Sequence, residues 1–206
     1  ASQIQVRLRA GGVRLISVED NGCGIAPEQL AVALKRHATS KISNLQDLES
    51  VATMGFRGEA LAAIASVSDL GLTSRTAHQA HAMTLQARTG ELSPAAREVG
   101  TTVEVQDLFF NTPARRKFLK TEVTEYADCD DVLARSALAR PDVGFSLRHN
   151  TRVTRHYSPA ELPRRVAAVL GEPFIQGARA LDEGGPLLRL HGLAGSPAQS
   201  KSGRDG

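Results

Sequence analysis

Two glycine-rich segments of this sequence carry residue types that could bind a nucleotide. The first, DNGCGI at residues 20–25, directly follows the apolar run at 13–18, which predicts a buried strand. A carboxylate at the end of that strand has only acceptor atoms, so Asp20 suits the exocyclic amine of a purine and would repel a phosphate. Gly22 and Gly24 tolerate a left-handed backbone and would let a ligand lie close to the main chain. The same residues also favour an ordinary turn, which is the simpler interpretation on spacing alone.

The second segment, GFRGEAL at residues 55–61, has complementary chemistry. It leads into a run of strong helix formers that starts at Glu59. The free N–H groups and the dipole of a helix N-terminus attract anions, and Gly58 has no side chain to keep a phosphate away. Arg57 adds a positive charge. Two alternatives remain: the glycines could serve tight helix packing, and Glu59 could be a first-turn acid that interacts favourably with the helix dipole.

A short polar and basic run, HATSK at residues 37–41, lies between the two segments. Thr39 and Ser40 offer hydroxyl groups and Lys41 offers a positive charge, a combination that suits a flap over phosphates. The same composition is typical of flexible surface loops, and a loop is the simpler interpretation of these residues taken alone.

The periodicity of apolar residues predicts the elements that must position these segments. A first strand is predicted at residues 4–8, and Gly11 and Gly12 predict a hairpin turn into the strand at 13–18. Helices are predicted at residues 27–36, 47–51, 59–66, 122–138 and 159–170. Further strands are predicted at 70–75, 82–87 and 103–105, with Gly90 and Pro94 breaking the chain between them, and a closing hairpin at 143–153. The predicted inner face of the long helix consists of Tyr126, Val132, Leu133, Ala137 and Leu138.

Length, charge and cysteine content narrow the class of protein. With 206 residues the chain can hold one domain with its own hydrophobic core and the start of another. No apolar run reaches membrane-spanning length and no signal-peptide pattern opens the chain. The two cysteines are far apart in the sequence, so we expect a reducing cytoplasm as the location. Cys23 and Cys129 form no metal-ligand pair, and we expect Cys23 to be a small buried residue. A net charge of +3 and a pI near 9.1 permit contact with nucleic acid without requiring it.

Five motifs occur together and in order, and as a set they resemble one family. They are DNGCGI at 20–25, RHATSKI at 36–42, GFRGEAL at 55–61, VGTTV at 99–103 and LFFNTPARRKFL at 108–119. The set resembles the amino-terminal ATPase region of the MutL family of DNA mismatch repair proteins, a branch of the wider ATPase group that includes gyrase B, Hsp90 and the histidine kinases. The first motif is typical of the whole group, whereas the second and the fifth narrow the resemblance to MutL. The resemblance implies an α+β fold, a two-layer sandwich with helices on one face of a mixed β-sheet (the Bergerat ATP-binding fold).

The resemblance also implies ATP and Mg²⁺ as cofactors and assigns the residues that contact the nucleotide. Asp20 would read the adenine, and Thr101 would reach the edge of the base directly or through a water molecule. The implied ATP-binding set is Asp20, Gly22, Gly24, Ile25, Thr39, Ser40, Lys41, Gly55, Phe56, Arg57, Gly58, Glu59, Ala60, Leu61 and Thr101. In the family, a preceding helix carries the glutamate that activates the attacking water and the asparagine that holds magnesium. We expect both upstream of Ala1, so no catalytic residue or metal ligand is assigned to this chain.

The function implied by the resemblance is an ATP-operated dimeric clamp that couples mismatch recognition to downstream repair enzymes. Its partners would be a second copy of the chain, the mismatch-recognition protein MutS, a downstream endonuclease and helicase, and DNA. The protein would act in the cytoplasm and on the nucleoid, and no membrane partner is expected. Arg115, Arg116 and Lys117 are the candidate DNA contacts, although a solvated helix start explains the same charges. The alternative is a nucleotide-incompetent fragment that acts only as a protein-interaction module, since the catalytic helix is expected outside the chain.

The expected domain organisation follows from the same resemblance. Residues 1–170 would form the ATP-binding domain without its first helix. Residues 171–206 would be the truncated start of the second, transducer domain, which is similar to domain 2 of ribosomal protein S5. The stretch at 195–206 is rich in Ser, Gly and Pro, which predicts a disordered tail.

Overall fold

The computed structural model describes residues 1–36, 58–185 and 188–197 of the chain. The strands in these ranges are Gln3–Arg9 (β1), Leu15–Asp20 (β2), Asp69–Arg75 (β3), Ala82–Gln86 (β4), Leu92–Ala95 (β5), Gly100–Gln106 (β6), Gly144–His149 (β7), Arg152–Tyr157 (β8), Arg179–Gly184 (β9) and Arg189–Ala194 (β10). The α-helices are Pro27–Ala33 (α1), Ala60–Ala65 (α2), Pro113–Arg116 (α3), Glu122–Ala139 (α4), Leu162–Leu170 (α5) and Glu172–Gly177 (α6). The helix predicted at 47–51 lies outside the described residues.

Eight of these strands form one mixed sheet in the order β5-β4-β3-β6-β2-β1-β7-β8. Every neighbouring pair is antiparallel except β1 and β7, which run parallel. The turn predicted from Gly11 and Gly12 is present as a single 3-10 turn that joins β1 to β2. The sheet with its helices matches the α+β fold class that the motifs implied, so that prediction is confirmed.

One face of the sheet carries the hydrophobic core because apolar residues alternate along its strands. Leu70 and Leu72 on β3 are fully buried, and their cross-strand neighbours Val105 and Val103 on β6 pack in the same cluster. Fully burying one leucine side chain contributes about 1.5–3 kcal/mol. Helices α1 and α2 cover this cluster, since it includes Leu30, Ala33, Leu34, Leu61, Ile64 and Ala65. Leu8, Leu133, Ala137, Val143, Phe145, Leu147 and Tyr157 form a second cluster beneath α4.

Helix α4 matches its predicted range, but its predicted inner face is partly wrong. Leu133 and Ala137 are buried and Tyr126 packs beside them, as the periodicity predicts. Val132 is 63% exposed. Because successive residues are 100° apart around a helix, Val132 lies off the stripe that its neighbour Leu133 occupies.

The sequence also failed to predict strand β5. Pro94 was expected to break the chain, yet it lies inside β5 and pairs with Met83 of β4. A proline cannot donate a backbone hydrogen bond, and edge strands tolerate it because one side of the strand has no partner. Strand β5 is at the edge of the sheet, which explains why Pro94 is accepted there.

The C-terminal part contains α5, α6 and a separate two-stranded sheet of β9 and β10. Arg165 of α5 is only 1% exposed, and its guanidinium donates to five backbone carbonyls, those of Ala137, Arg140, Pro141, Val143 and Ser158. Burial lowers the pKa of this arginine. The predicted domain boundary at residue 170 stays a prediction, and residues 198–206 of the predicted tail lie outside the described ranges.

Candidate nucleotide site

Three polar residues form a row across the sheet at the end of β2. Asp20 is the last residue of β2 and lies opposite Thr101 of β6, which in turn lies opposite Ser74 of β3. Residues directly opposite each other in a sheet project from the same face. The row therefore projects from the same face as Leu70 and Leu72, the face that α1 and α2 cover.

A tight turn holds the carboxylate of Asp20. Its Oδ1 accepts a hydrogen bond of 2.7 Å from the backbone N–H of Gly22. The next side chain, Asn21, uses its Oδ1 to accept from the backbone N–H groups of Ser2 and Gln3, at 2.8 and 2.9 Å. The turn is therefore tied to the start of β1, and the carboxylate is held in place before any ligand binds.

Gly24 and Ile25 connect this turn to β3. Gly24 has a φ of +76°, and a β-carbon on it would overlap the carbonyl oxygen of Arg75, so a glycine is required by the neighbouring backbone itself. The backbone N–H of Ile25 donates to Ser74 Oγ at 2.8 Å. The Ile25 side chain packs into the core cluster beneath α1 and α2.

A buried arginine supports the end of β2 from the other side. Arg97, whose side chain is 8% exposed, donates from Nη2 to the backbone carbonyl of Asp20 at 3.0 Å and lies 3.5 Å from Glu19 Oε1. Gly100 makes room for it, because a β-carbon there would lie 2.9 Å from Arg97 Nη1. Strand β2 therefore ends at a point that is fixed by contacts on both sides.

The predicted phosphate side is only partly within the described residues. Gly58 has a φ of +62°, and Glu59 is the N-cap residue of α2. Ala60 is exposed, whereas Leu61 packs into the core cluster and holds α2 against the sheet. The other residues predicted for this side and for the lid, Thr39, Ser40, Lys41, Gly55, Phe56 and Arg57, lie outside the described ranges.

The sequence analysis missed Ser74 and Arg97 and was wrong about Cys23. Ser74 is fully buried and occupies the inward position that follows Leu70 and Leu72 in the alternation of β3, and this placement was a usable signal. Arg97 carries no comparable signal, because its contacts are to backbone that is distant in sequence. Cys23 is exposed and not buried, because it lies at the tip of the turn between Asp20 and Ile25.

The basic run that follows β6 is exposed and connected to α2. Arg115, Arg116 and Lys117 are all exposed. Upstream of them, the side-chain amide of Asn111 donates to the carbonyl of Ser66, just after α2, at 2.9 Å. The backbone N–H of Phe109 donates to Val67 at 2.7 Å.

Two cavities are lined entirely by described residues. Within the described ranges, no group of three His, Cys, Asp or Glu residues could hold a metal ion. A cavity of about 300 Å³ lies on the opposite, polar face of the sheet, beside Thr73 and Glu104. Another of about 500 Å³ lies beside Arg75 and Arg97. In the same ranges, no helix is long and apolar enough to cross a membrane.

Comparison with known proteins places these features in a family. The profile of the family described as "Histidine kinase-, DNA gyrase B-, and HSP90-like ATPase" matches residues 1–108. The chain is 56% identical over 205 residues to the DNA mismatch repair protein MutL of Ralstonia nicotianae, and 54% identical over 210 residues to that of Herminiimonas arsenicoxydans. These matches cover all of the chain but only 32% and 34% of the relatives, so the chain spans about a third of their length.

Solved structures of mismatch repair ATPase domains are also similar to the chain. The chain is similar to the Aquifex aeolicus MutL ATPase domain complexed with ADP, with a TM-score of 0.68 and 32% identity over 89% of this chain and 65% of that one. It is also similar to the N-terminal domain of a DNA repair protein, with a TM-score of 0.74 and 25% identity over 94% of this chain and 62% of that one. The chain therefore belongs to the histidine kinase-, DNA gyrase B- and HSP90-like ATPase family, and its predicted resemblance to MutL is confirmed.

Proposed function

We propose that this chain is the ATP-binding part of a DNA mismatch repair ATPase of the MutL type. The observation that carries the proposal is the placement of Asp20, whose carboxylate is held at the end of β2 on the face of the sheet that α2 covers. A base bound at Asp20 and phosphates bound before α2 would then lie on one side of the sheet. The relatives named above are MutL proteins, and the Aquifex aeolicus domain binds ADP.

The base would be recognised by acceptor atoms. The Asp20 carboxylate accepts a hydrogen bond from the exocyclic amine of adenine, and the partly exposed Thr101 lies beside it on β6. Gly22 and Gly24 form the turn over which the base would lie, and Ile25 would supply an apolar contact from the core.

The phosphates would be bound by backbone N–H groups and positive charge. Gly58, Glu59, Ala60 and Leu61 lie at the N-terminus of α2, where the helix dipole favours an anion. The remaining members of the proposed set are the lid residues Thr39, Ser40 and Lys41 and the segment of Gly55, Phe56 and Arg57. Such a site accelerates phosphoryl transfer by positioning and electrostatic stabilisation.

Hydrolysis is proposed for the whole protein. Magnesium, when bound, would neutralise charge on the phosphates, and the residues assigned in this chain are proposed to contact the nucleotide. The general-base glutamate and the magnesium-binding asparagine are expected on a helix upstream of Ala1. The chain's own residues therefore orient the nucleotide for a reaction whose catalytic base comes from elsewhere in the protein.

The nucleotide cycle would operate a clamp. ATP binding would close the lid and pair two subunits, and hydrolysis would release them. The complex would meet MutS, a downstream endonuclease and helicase, and DNA, in the cytoplasm and on the nucleoid. Arg115, Arg116 and Lys117 are its candidate DNA contacts, because they are exposed basic residues on a segment tied to α2 through Asn111 and Ser66.

The test is nucleotide titration of Asp20→Asn. The change replaces an acceptor-only group by an amide that can present N–H to the base, so the affinity for Mg-ATP should fall at least about tenfold. Isothermal titration calorimetry measures the affinity, and circular dichroism checks the fold. Glu19→Gln is the matched control, because Glu19 loses the same charge one residue away on the opposite face of the sheet.

The outcomes distinguish the candidate functions. Wild-type affinity in a folded Asp20→Asn variant would remove Asp20 from the base site. If Mg-ATP neither binds nor raises the melting temperature of the wild-type protein, the interaction-module alternative replaces the ATPase. Loss of binding in Asp20→Asn together with retention in Glu19→Gln supports the proposal.

A further inference from the structure

The Ser74 side chain lies next to the proposed base site and has several hydrogen-bond partners. Its residue is fully buried, and its hydroxyl oxygen has three partners within hydrogen-bond distance. The backbone N–H of Ile25 lies at 2.8 Å, the carbonyl oxygen of Gly100 at 2.8 Å, and Oγ1 of Thr101 at 2.9 Å.

The hydrogen atoms available in this group determine the direction of each bond. A contact of 2.8 Å between the Ser74 oxygen and a carbonyl oxygen requires a hydrogen between them, and only the Ser74 hydroxyl can supply it. The Ile25 N–H occupies one lone pair of Ser74. The contact between Ser74 and Thr101 therefore needs the hydroxyl hydrogen of Thr101, which donates into the remaining lone pair of Ser74.

The Thr101 hydroxyl is oriented by this hydrogen bond to Ser74. A threonine hydroxyl has one hydrogen and two lone pairs. With its hydrogen directed at Ser74, Thr101 offers only lone pairs to anything bound beside Asp20, its cross-strand neighbour. The neighbouring carboxylate also offers only lone pairs. Asp20 and Thr101 together, called the base corner here, therefore offer a ligand only hydrogen-bond acceptors.

We propose that Ser74 is a positioning residue that orients the Thr101 hydroxyl, so that the base corner selects a 6-aminopurine over a 6-oxopurine. The inference rests on the proposed function, because it takes a purine nucleotide as the ligand at Asp20. Adenine presents an amine with two hydrogens at its 6-position, and both can be donated to acceptors or to a bridging water. Hypoxanthine presents a carbonyl oxygen at the same position, which would face the lone pairs of Asp20 and Thr101 without a hydrogen between them.

Removing Ser74 should relax this discrimination. In Ser74→Ala, the Thr101 hydroxyl loses its acceptor and becomes free to turn its hydrogen toward the ligand. It can then donate to the 6-oxo group of hypoxanthine. If Ser74 served only folding, its removal would weaken the binding of both nucleotides equally, and the ratio of their affinities would stay unchanged.

The experiment compares dissociation constants for ATP and inosine triphosphate by isothermal titration calorimetry. We expect the wild-type protein to prefer ATP, and we expect Ser74→Ala to reduce the preference about tenfold. Thr101→Ser keeps the hydroxyl and should keep the preference within about twofold. In a Thr101→Val background, Ser74→Ala should leave the preference unchanged, because no hydroxyl remains to reorient.

A second variant covers the case in which Ser74→Ala does not fold, since it leaves the Ile25 N–H and the Gly100 carbonyl without this partner. Ser74→Cys fills the site, and its sulfur is a weak acceptor, so the same loss of preference is expected. An unchanged preference for ATP in a folded Ser74 variant overturns this inference and leaves the proposed function standing. So does a wild-type protein that binds both nucleotides equally, or a change that persists in the Thr101→Val background. A wild-type protein that binds neither nucleotide overturns the proposed function as well.

Discussion

At Gly58, backbone conformation and the proposed ligand binding both require the absence of a side chain. Its φ of +62° is in the left-handed region, where a side chain costs about 1–2 kcal/mol. It also precedes the first turn of α2, where the phosphates are proposed to bind. A substitution at this position therefore has two effects that a control must separate.

Gly58→Ala should weaken Mg-ATP binding at least about tenfold, because its methyl group occupies space beside the phosphates. The matched control is Gly90→Ala, since Gly90 has a φ of +71° and its added β-carbon would contact nothing within 4 Å. Both variants should lose similar stability in thermal unfolding, and only Gly58→Ala should lose affinity by calorimetry. Wild-type affinity in Gly58→Ala would show that the phosphates bind elsewhere.

Single residues were predictable from the sequence where local pattern decides their role. Asp20 was placed at the end of a strand by the apolar run before it, and Gly24 by its position in a turn. The contacts of Ser74 and Arg97 were not predicted, because they depend on which strand lies next to which. The register that sets Ser74 opposite Thr101 is a property of the assembled sheet.

Helix α2 and the segment after β6 form one mechanical link. The N-terminus of α2 faces the proposed phosphate side, and the chain just after α2 is held by Asn111 and Phe109 through Ser66 and Val67. The exposed basic run starts four residues after Asn111. A shift of α2 on nucleotide binding would therefore also move the basic run, because the hydrogen bond between Asn111 and Ser66 connects them.

Asn111→Ala should weaken this coupling without removing the nucleotide site. In the wild-type protein we expect Mg-ATP to change the rate of trypsin cleavage after Arg115 and Arg116, and the variant should lose most of that change. Its Mg-ATP affinity should stay within about threefold, because Asn111 bonds Ser66 just after α2 and is not among the residues proposed to bind the nucleotide. Asn150→Ala is the control, since it removes an amide that bonds the 3-10 turn and α4. An undiminished ATP effect in Asn111→Ala would contradict the link.

Most elements were predicted to within a few residues, because apolar periodicity and turn residues mark them. The exceptions have physical causes. Pro94 reads as a breaker unless its strand is known to be an edge strand, and Val132 reads as an inner-face residue unless the phase of α4 is known. Both facts depend on tertiary contacts.

Arg165 joins three parts of the second half of the molecule. Its five acceptors lie at the end of α4, in the turn before β7 and after β8. Its guanidinium also lies 5.9 Å from the centre of the Phe145 ring and 5.6 Å from that of Tyr157. These contacts stabilise the cation in a buried position through carbonyl dipoles and aromatic faces.

Arg165→Met should destabilise the protein by about 3 kcal/mol, because five backbone carbonyls lose this donor and two of these hydrogen bonds are buried. Arg165→Lys should recover part of that loss, since an ammonium group has three donors and no planar fork. Urea unfolding measures both. Arg164→Lys is the control on the exposed side of the same helix and should change stability by less than about 0.5 kcal/mol. Equal stability of the wild type and Arg165→Met would contradict this role.

The parallel pairing of β1 with β7 sets the order in which the two halves of the sheet can be completed during synthesis. Strand β1 pairs with residues 144–149, whereas β2, β3 and β6, which carry Asp20, Ser74 and Thr101, are all present once Gln106 has been made. The nascent chain can thus assemble the base corner before β7, the neighbour of β1 on its other side, has been synthesised. Until β7 arrives, that side exposes unpaired backbone groups, which favour aggregation of the incomplete chain.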